Sequence, residues 1–194
     1  MKLSDEDYQQ PGVLADVAAS VLMWFLWLAR MARWDILRQV SVIASCITRW
    51  TNANDKQTFR VACYLKTSRE YSLTTQVGDL AANWELQLWA DSDFASCPYT
   101  KRSTAGVFTA ICATSTFAPI SGSSHKHEDS TADSTPESET VTLAKGVVKT
   151  GVPLLELMET ILGRPIKFTV HEDNDPCRKV IENGYSIALR HLKR

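Results

Sequence analysis

Two aspartates inside a strand-like apolar pattern constrain this chain more than any other feature. Over 86–94 the residues alternate, so that Leu88 and Ala90 lie on one face of a predicted strand while Asp91 and Asp93 lie on the other. A carboxylate in a core-forming strand must be paired, protonated or bound to a cation, because an unpaired buried charge is strongly destabilising. The alternative interpretation is that both aspartates end the strand and cap the following turn.

Composition and charge narrow the classes of protein. The chain has 194 residues, of which 44% are hydrophobic and 22% charged, as expected for one large or two small globular domains. Its net charge of −1 gives no overall attraction for nucleic acid, so such binding would depend on local basic patches. The five cysteines are widely spaced without a C-x-x-C pair, which argues against a disulfide framework or zinc knuckle and favours a reducing compartment, the cytoplasm or nucleus.

The N-terminal region predicts neither secretion nor membrane insertion. Asp5, Glu6 and Asp7 stand where a secretory signal would be basic. The uncharged run Val17–Ala29 spans 13 residues, fewer than the roughly 20 that a membrane-spanning helix needs. We therefore expect a buried helix and no membrane partner, and the alternative is a small, helical, membrane-associated protein.

Periodicity divides the chain into a helical unit, 1–79, and an α/β domain, 80–194. The helical patterns of the first unit cover 13–31, a stretch beginning at Asp35, and 55–66. The domain has the order β-β-β-α-β-α. Its first predicted elements are strands at 86–94, 105–112 and 117–120, followed by an exposed loop at 121–138. A helix from Glu139 breaks at Gly151, and a helical piece at 154–162 begins near Pro153 and closes at Gly163. A strand at 166–171 and a short helix from Asp175 or Pro176 complete the order.

This order predicts a cluster of carboxylates. Two strands joined by a long crossover pair in parallel, which sets the strand that carries Asp91 beside the one that ends in Asp173. Glu137 or Glu139, at the start of the crossover helix, would supply a third carboxylate. Oxygen ligands without soft ones suit Mg²⁺ or Mn²⁺, and such a cluster can hold two ions for in-line phosphodiester displacement. A metal site of Cys97 with His125 and His127 is the rival interpretation, but we expect those histidines to lie in a surface loop.

Several short motifs occur in an order that resembles a known family, the RNase H domain of copia-type retrotransposon polyproteins. That family reads close to YSDADWAG, RRSTSGYVF, PISW, SSTEAEY and VYEDN. In the first half, RWDI at 33–36 is similar to its TRPDI, and YLKT at 64–67 to its RYLKGT. The matching stretches of the second half are WADSDFA at 89–95, KRSTAGVF at 101–108, APIS at 118–121, STPESE at 134–139 and VHEDN at 170–174.

The resemblance implies an RNase H-like fold, preceded by the helical tail of a reverse transcriptase whose polymerase part would be a missing partner. The sheet would hold three antiparallel strands, followed by a helix, a parallel strand and a helix. The implied activity is hydrolysis of the RNA strand of RNA–DNA hybrids with two Mg²⁺ or Mn²⁺ ions. By motif position Asp91, Glu139 and Asp173 are the metal-binding catalytic carboxylates, with Glu137, Asp93 and His191 as further candidates. Expected nucleic-acid contacts are Lys101, Arg102, Lys145, Lys149, Arg178 and Lys179.

The chain also departs from the family pattern. Lys193 stands where a fourth acidic residue is expected, and the sequence stops before the family's final helix. The segment 125–133 is polar where the family has an apolar strand-like stretch. A second interpretation is therefore a degenerate, catalytically inactive transposon remnant that only binds nucleic acid or a protein partner.

Overall fold

A computed structural model describes residues 2–95, 102–127, 132 and 134–184, and the chain forms two compact units, Met1–Leu73 and Thr74–Arg194. The sequence had placed 74–79 with the first unit. In the structure this segment belongs to the second, where Gln76 and Phe117 exchange backbone hydrogen bonds of 3.0 and 2.9 Å. Two of the predicted candidates, Lys101 and His191, lie outside the described residues, as do Lys193 and the cysteine of the rival metal site, Cys97.

The first unit is helical, as predicted. Its helices are α1 (Ala18–Met31), α2 (Leu37–Ala44) and α3 (Asn52–Thr67), with short 3₁₀ turns at Asp5–Tyr8, Trp34–Ile36 and Ile47–Arg49. Apolar side chains at three- and four-residue spacing form its core. The largest contributions to this core come from Leu22, Ile36, Leu37, Val40, Ile43, Trp50 and Val61.

Helix α1 differs from the prediction of a helix buried on all sides. Leu22 and Ala29 are buried, but Met23, Trp24 and Trp27 remain 62%, 70% and 59% exposed. The uniformly apolar sequence concealed this asymmetry, because only one face of α1 packs into the core of its unit. Within the described residues, no helix combines the length and the apolar character that crossing a membrane requires.

The start of α2 also differs, because the helix begins at Leu37 and not at Asp35. Asp35 lies in the 3₁₀ turn before the helix and accepts hydrogen bonds from the Arg33 guanidinium at 3.0 and 2.7 Å. The buried Arg33 also donates to the backbone oxygen of Ser68, beyond the end of α3, at 3.0 Å. This pairing lowers the pKa of Asp35 and raises that of Arg33.

The second unit is a mixed α/β fold built on one four-stranded sheet, whose strand order is β3-β2-β1-β4. Strands β1 (Glu85–Asp93), β2 (Thr104–Ala113) and β3 (Thr116–Lys126) form an antiparallel meander. Strand β4 (Phe168–His171) pairs in parallel with β1, which confirms the predicted topology. The helical elements are α4 (Thr135–Gly146), a π-helical turn (Val147–Gly151), α5 (Val152–Leu162) and α6 (Asp175–Asn183).

Strand β3 is longer than predicted, because 121–126 belong to it and not to an exposed loop. These residues are mostly Ser, Gly and His, which carry little strand signal of their own. Their backbone completes the ladder of β2, from the Thr104–Lys126 pair up to a bulge at Thr109/Ala110. This segment is therefore a strand because the backbone groups of β2 need hydrogen-bond partners, and not because of its own composition.

The crossover stays helical where a break was predicted. Gly151 closes the π-helical turn, and α5 follows at once with Pro153 in its first turn. Gly163, with φ of 64°, ends α5 as expected. Gly151 serves close packing, because a Cβ at this position would lie 2.6 Å from Cζ of Phe168 and 3.1 Å from Cδ1 of Leu88.

Candidate metal centre

Parallel pairing of β1 with β4 brings two aspartates to one end of the sheet. Trp89 lies opposite His171 in the register. Asp91 and Asp173, each two residues further along the chain, therefore lie side by side. Both carboxylates are exposed. Their proximity follows from the parallel pairing of β1 with β4.

Helix α4 supplies the third carboxylate, Glu139. The helix begins after Ser134, whose hydroxyl accepts a hydrogen bond from the backbone N–H of Glu137, and Pro136 fits in the first turn. The hydroxyls of Ser138 and Ser92 contact each other and hold the first turns of α4 against β1. One residue beyond this contact, Glu139 reaches the two aspartates.

The ligand oxygens of Asp91, Glu139 and Asp173 lie within 4.8 Å of one another. Glu139 is 4% exposed, and its Oε2 is buried without a hydrogen-bond partner. Burial, followed by repulsion from Glu172, Asp91 and Asp173, raises the pKa of Glu139 to about 7. Its carboxyl group therefore takes up a proton near neutral pH unless a cation replaces that proton.

The donor set fits a hard divalent cation. It offers only carboxylate oxygens, it holds an unpartnered buried oxygen, and its negative charges repel one another. In the described part of the chain, this is the one group of three acidic, histidine or cysteine side chains with such spacing. Three oxygens within 4.8 Å are compatible with coordination of Mg²⁺ or Mn²⁺.

Of the alternatives, neither Glu137 nor Asp93 joins this group. Glu137 is buried in α4, two residues before Glu139 and so on another side of the helix, and Asp93 is half-buried at the end of β1. The described candidates for nucleic-acid contacts lie on the surface or partly so. Arg102, Lys149 and Lys179 are exposed, Lys145 is half-buried, and Arg178 is exposed and pairs with Asp175 at 2.9 Å.

A fourth carboxylate, Glu172, was missed by the sequence analysis. It is half-buried, its Oε2 is enclosed without a partner, and its Oε1 accepts the Asn174 backbone N–H at 3.0 Å. Burial is the main cause that raises the pKa of Glu172. The sequence signal that could have identified it is its position directly before Asp173, at the end of the predicted strand.

His127 is not a surface histidine, so that part of the prediction is wrong. It is 1% exposed, and its Nε2 lies 2.8 Å from the Thr142 hydroxyl of α4. Its backbone N–H donates to Ser103, which continues the β2–β3 pairing past Lys126. Burial is the main cause that lowers the pKa of His127, whose ring contacts α4, whereas His125 is exposed.

Asp91 and Asp173 line a cleft of about 400 Å³ beside β4, one of the two edge strands of the sheet. Its lining consists of Trp89, Ala90, Asp91, His171, Glu172 and Asp173. Comparison with known proteins finds no match to this chain, whether among family models, curated proteins or solved structures. The function must therefore be argued from the chemistry of this cleft and its three carboxylates.

Proposed function

We propose that the second unit is a metal-dependent nuclease of the RNase H-like class, which hydrolyses the RNA strand of RNA–DNA hybrids. The observation that carries the proposal is the convergence of Asp91, Glu139 and Asp173 at the carboxyl end of a parallel strand pair. The β-β-β-α-β-α order and the ordered motifs that resemble the copia-type RNase H domain support the same conclusion.

In this mechanism the three carboxylates would hold one or two Mg²⁺ or Mn²⁺ ions. Bound cations would supply Lewis-acid stabilisation of the phosphodiester and activation of the attacking water. Asp91 and Asp173 are exposed and can meet a phosphate that arrives from solvent, while Glu139 anchors the site from its buried position. The raised pKa of Glu139 makes it the group that exchanges a proton for a cation.

The ordered framework keeps these carboxylates in place before substrate arrives. Asn174 caps α6 by accepting the Cys177 backbone N–H at 2.9 Å, directly after Asp173. The contact between the Ser92 and Ser138 hydroxyls holds the part of α4 that carries Glu139 against β1. Selectivity for a hybrid would come from contacts with 2′-hydroxyls and from groove shape, with exposed cations such as Lys149 and Lys179 on phosphates.

The test is cleavage of an end-labelled RNA–DNA hybrid by the full chain in Mg²⁺ or Mn²⁺. Asp91→Asn and Asp173→Asn should each abolish cleavage without changing the circular dichroism spectrum. Glu182→Gln is the control, because Glu182 is exposed on α6 and lies outside the group of three. Equal cleavage by the wild type and both aspartate variants would contradict the proposal. Hybrid binding without cleavage by a folded wild type would favour the inactive remnant.

A further inference from the structure

A row of four aromatic rings crosses the sheet on the face opposite the helices. Phe117, Phe108, Trp89 and His171 come from successive strands of the order β3-β2-β1-β4. Neighbouring ring centroids are 6.2, 5.4 and 4.7 Å apart, and the last pair, Trp89 and His171, is stacked at an angle of 5°. The row therefore ends on β4, the edge strand, with His171 as its outermost ring.

The orientation of His171 is held by two contacts. One face of the imidazole stacks on Trp89, and Nε2 lies 2.9 Å from Oε1 of Gln87. In the described part of the chain no other ring covers the second face. His171 is half-buried, so this second face offers a fixed aromatic surface at the edge of the sheet.

This surface adjoins the carboxylates. Trp89 and Asp91 are two residues apart on β1, and Asp173 follows His171 by two residues, just beyond the end of the neighbouring parallel strand β4. At a strand rise of about 3.3 Å per residue, Trp89 lies about 7 Å before Asp91 on the same face of β1. Both pairs line one cleft of about 400 Å³, a size typical of pockets that hold small organic ligands.

We propose that His171, backed by Trp89, is a base-stacking subsite for one unpaired nucleobase, next to the carboxylates that would hold the neighbouring phosphate through a bound cation. This inference rests on the proposed function and deepens it. A base inside a continuous duplex is already stacked on its neighbours, so only an unpaired nucleotide can place its ring on His171. The preferred substrate is thus a hybrid with a single-stranded end or interruption next to the cut. Stacking accepts any base, and Gln87 only fixes the imidazole.

The test measures binding, so that it does not depend on cleavage. Fluorescence anisotropy in Ca²⁺, a hard cation that carboxylates can bind, compares a fully paired RNA–DNA hybrid, the same hybrid with a three-nucleotide RNA overhang, and that overhang with abasic nucleotides. The wild-type chain should bind the base-containing overhang about five-fold or more tightly than the abasic one. His171→Ala should remove this difference, and His171→Phe, which keeps an aromatic face, should retain it.

Equal affinity for base-containing and abasic overhangs, or an unchanged preference in His171→Ala, would overturn the proposal. A change of oligomeric state in His171→Ala, measured by gel filtration and without loss of base preference, would overturn it in favour of an interface between copies. Base-dependent binding by a chain that never cleaves would leave the subsite standing while the nuclease proposal failed. Cleavage of the hybrid without base-dependent binding would support the nuclease proposal and overturn the stacking subsite.

Discussion

Replacing Glu139 by Gln tests the electrostatics of the site most directly. In the metal-free chain the folded-state pKa of Glu139 is about 7, against an ordinary value of 4.5. Between these two values the folded chain keeps a proton that the unfolded chain releases, so the free energy of unfolding falls as pH rises through this window. Above about pH 7 the free energy of unfolding is reduced by the full amount, and below about pH 4.5 it is not reduced.

The magnitude follows from the size of the shift. At 1.36 kcal/mol for each pKa unit the loss is at most about 3 kcal/mol, and water around the exposed Asp91 and Asp173 screens part of it. Glu139→Gln removes the buried charge and keeps the shape. We therefore expect the variant to be about 1 to 3 kcal/mol more stable than the wild type at pH 8 in EDTA, and equally stable at pH 4.5.

The assay is hydrogen exchange of the β1 amides, which reports on the second unit alone, because two compact units need not unfold together. Glu156→Gln on the exposed side of α5 is the control and should change nothing. Mg²⁺ should stabilise the wild type more at pH 8 than at pH 5, since protons compete with the cation for Glu139. At both pH values Mg²⁺ should stabilise Glu139→Gln less than the wild type, because the variant has lost one carboxylate ligand. A wild type whose stability is flat between pH 5 and pH 8 would refute the reasoning.

Three further predictions concern the framework. Gly151→Ala should destabilise the second unit by about 1 to 3 kcal/mol in urea unfolding, because the new methyl would overlap the ring of Phe168. Asn174→Ala should cost about 1 kcal/mol and speed hydrogen exchange in the first turn of α6, where the cap is lost. Arg33→Lys should destabilise the first unit by about 1 to 3 kcal/mol, measured by exchange in α3, because an ammonium cannot make the paired hydrogen bonds to Asp35.

Much of the second unit could be predicted from local pattern. The alternation around Leu88 and Ala90 identified β1, and the crossover rule placed its end beside that of β4. Asp91 and Asp173 could therefore be paired before any coordinates. The choice between Glu137 and Glu139 could not be derived from residues alone, because it depends on where α4 begins and how it is turned against β1.

The failures share one cause, which is that they depend on partners distant in the sequence. The polar segment 121–126 is a strand because β2 needs a hydrogen-bonding partner, and His127 is buried because α4 covers it. The apolar sequence of α1 could not indicate which side would stay exposed. Each of these outcomes depends on burial, which a single stretch of chain does not encode.

The sequence by itself determined the element order, the parallel β1–β4 pair and the placement of two aspartates at one sheet end, because side-chain periodicity and chain connectivity are local properties. Only the tertiary structure decided that Glu139 completes the group, that Glu172 stands behind it, and that His171 ends a row of rings beside it. The physical reason is that desolvation and contact depend on every element packed around a group, and these appear only when the chain has folded.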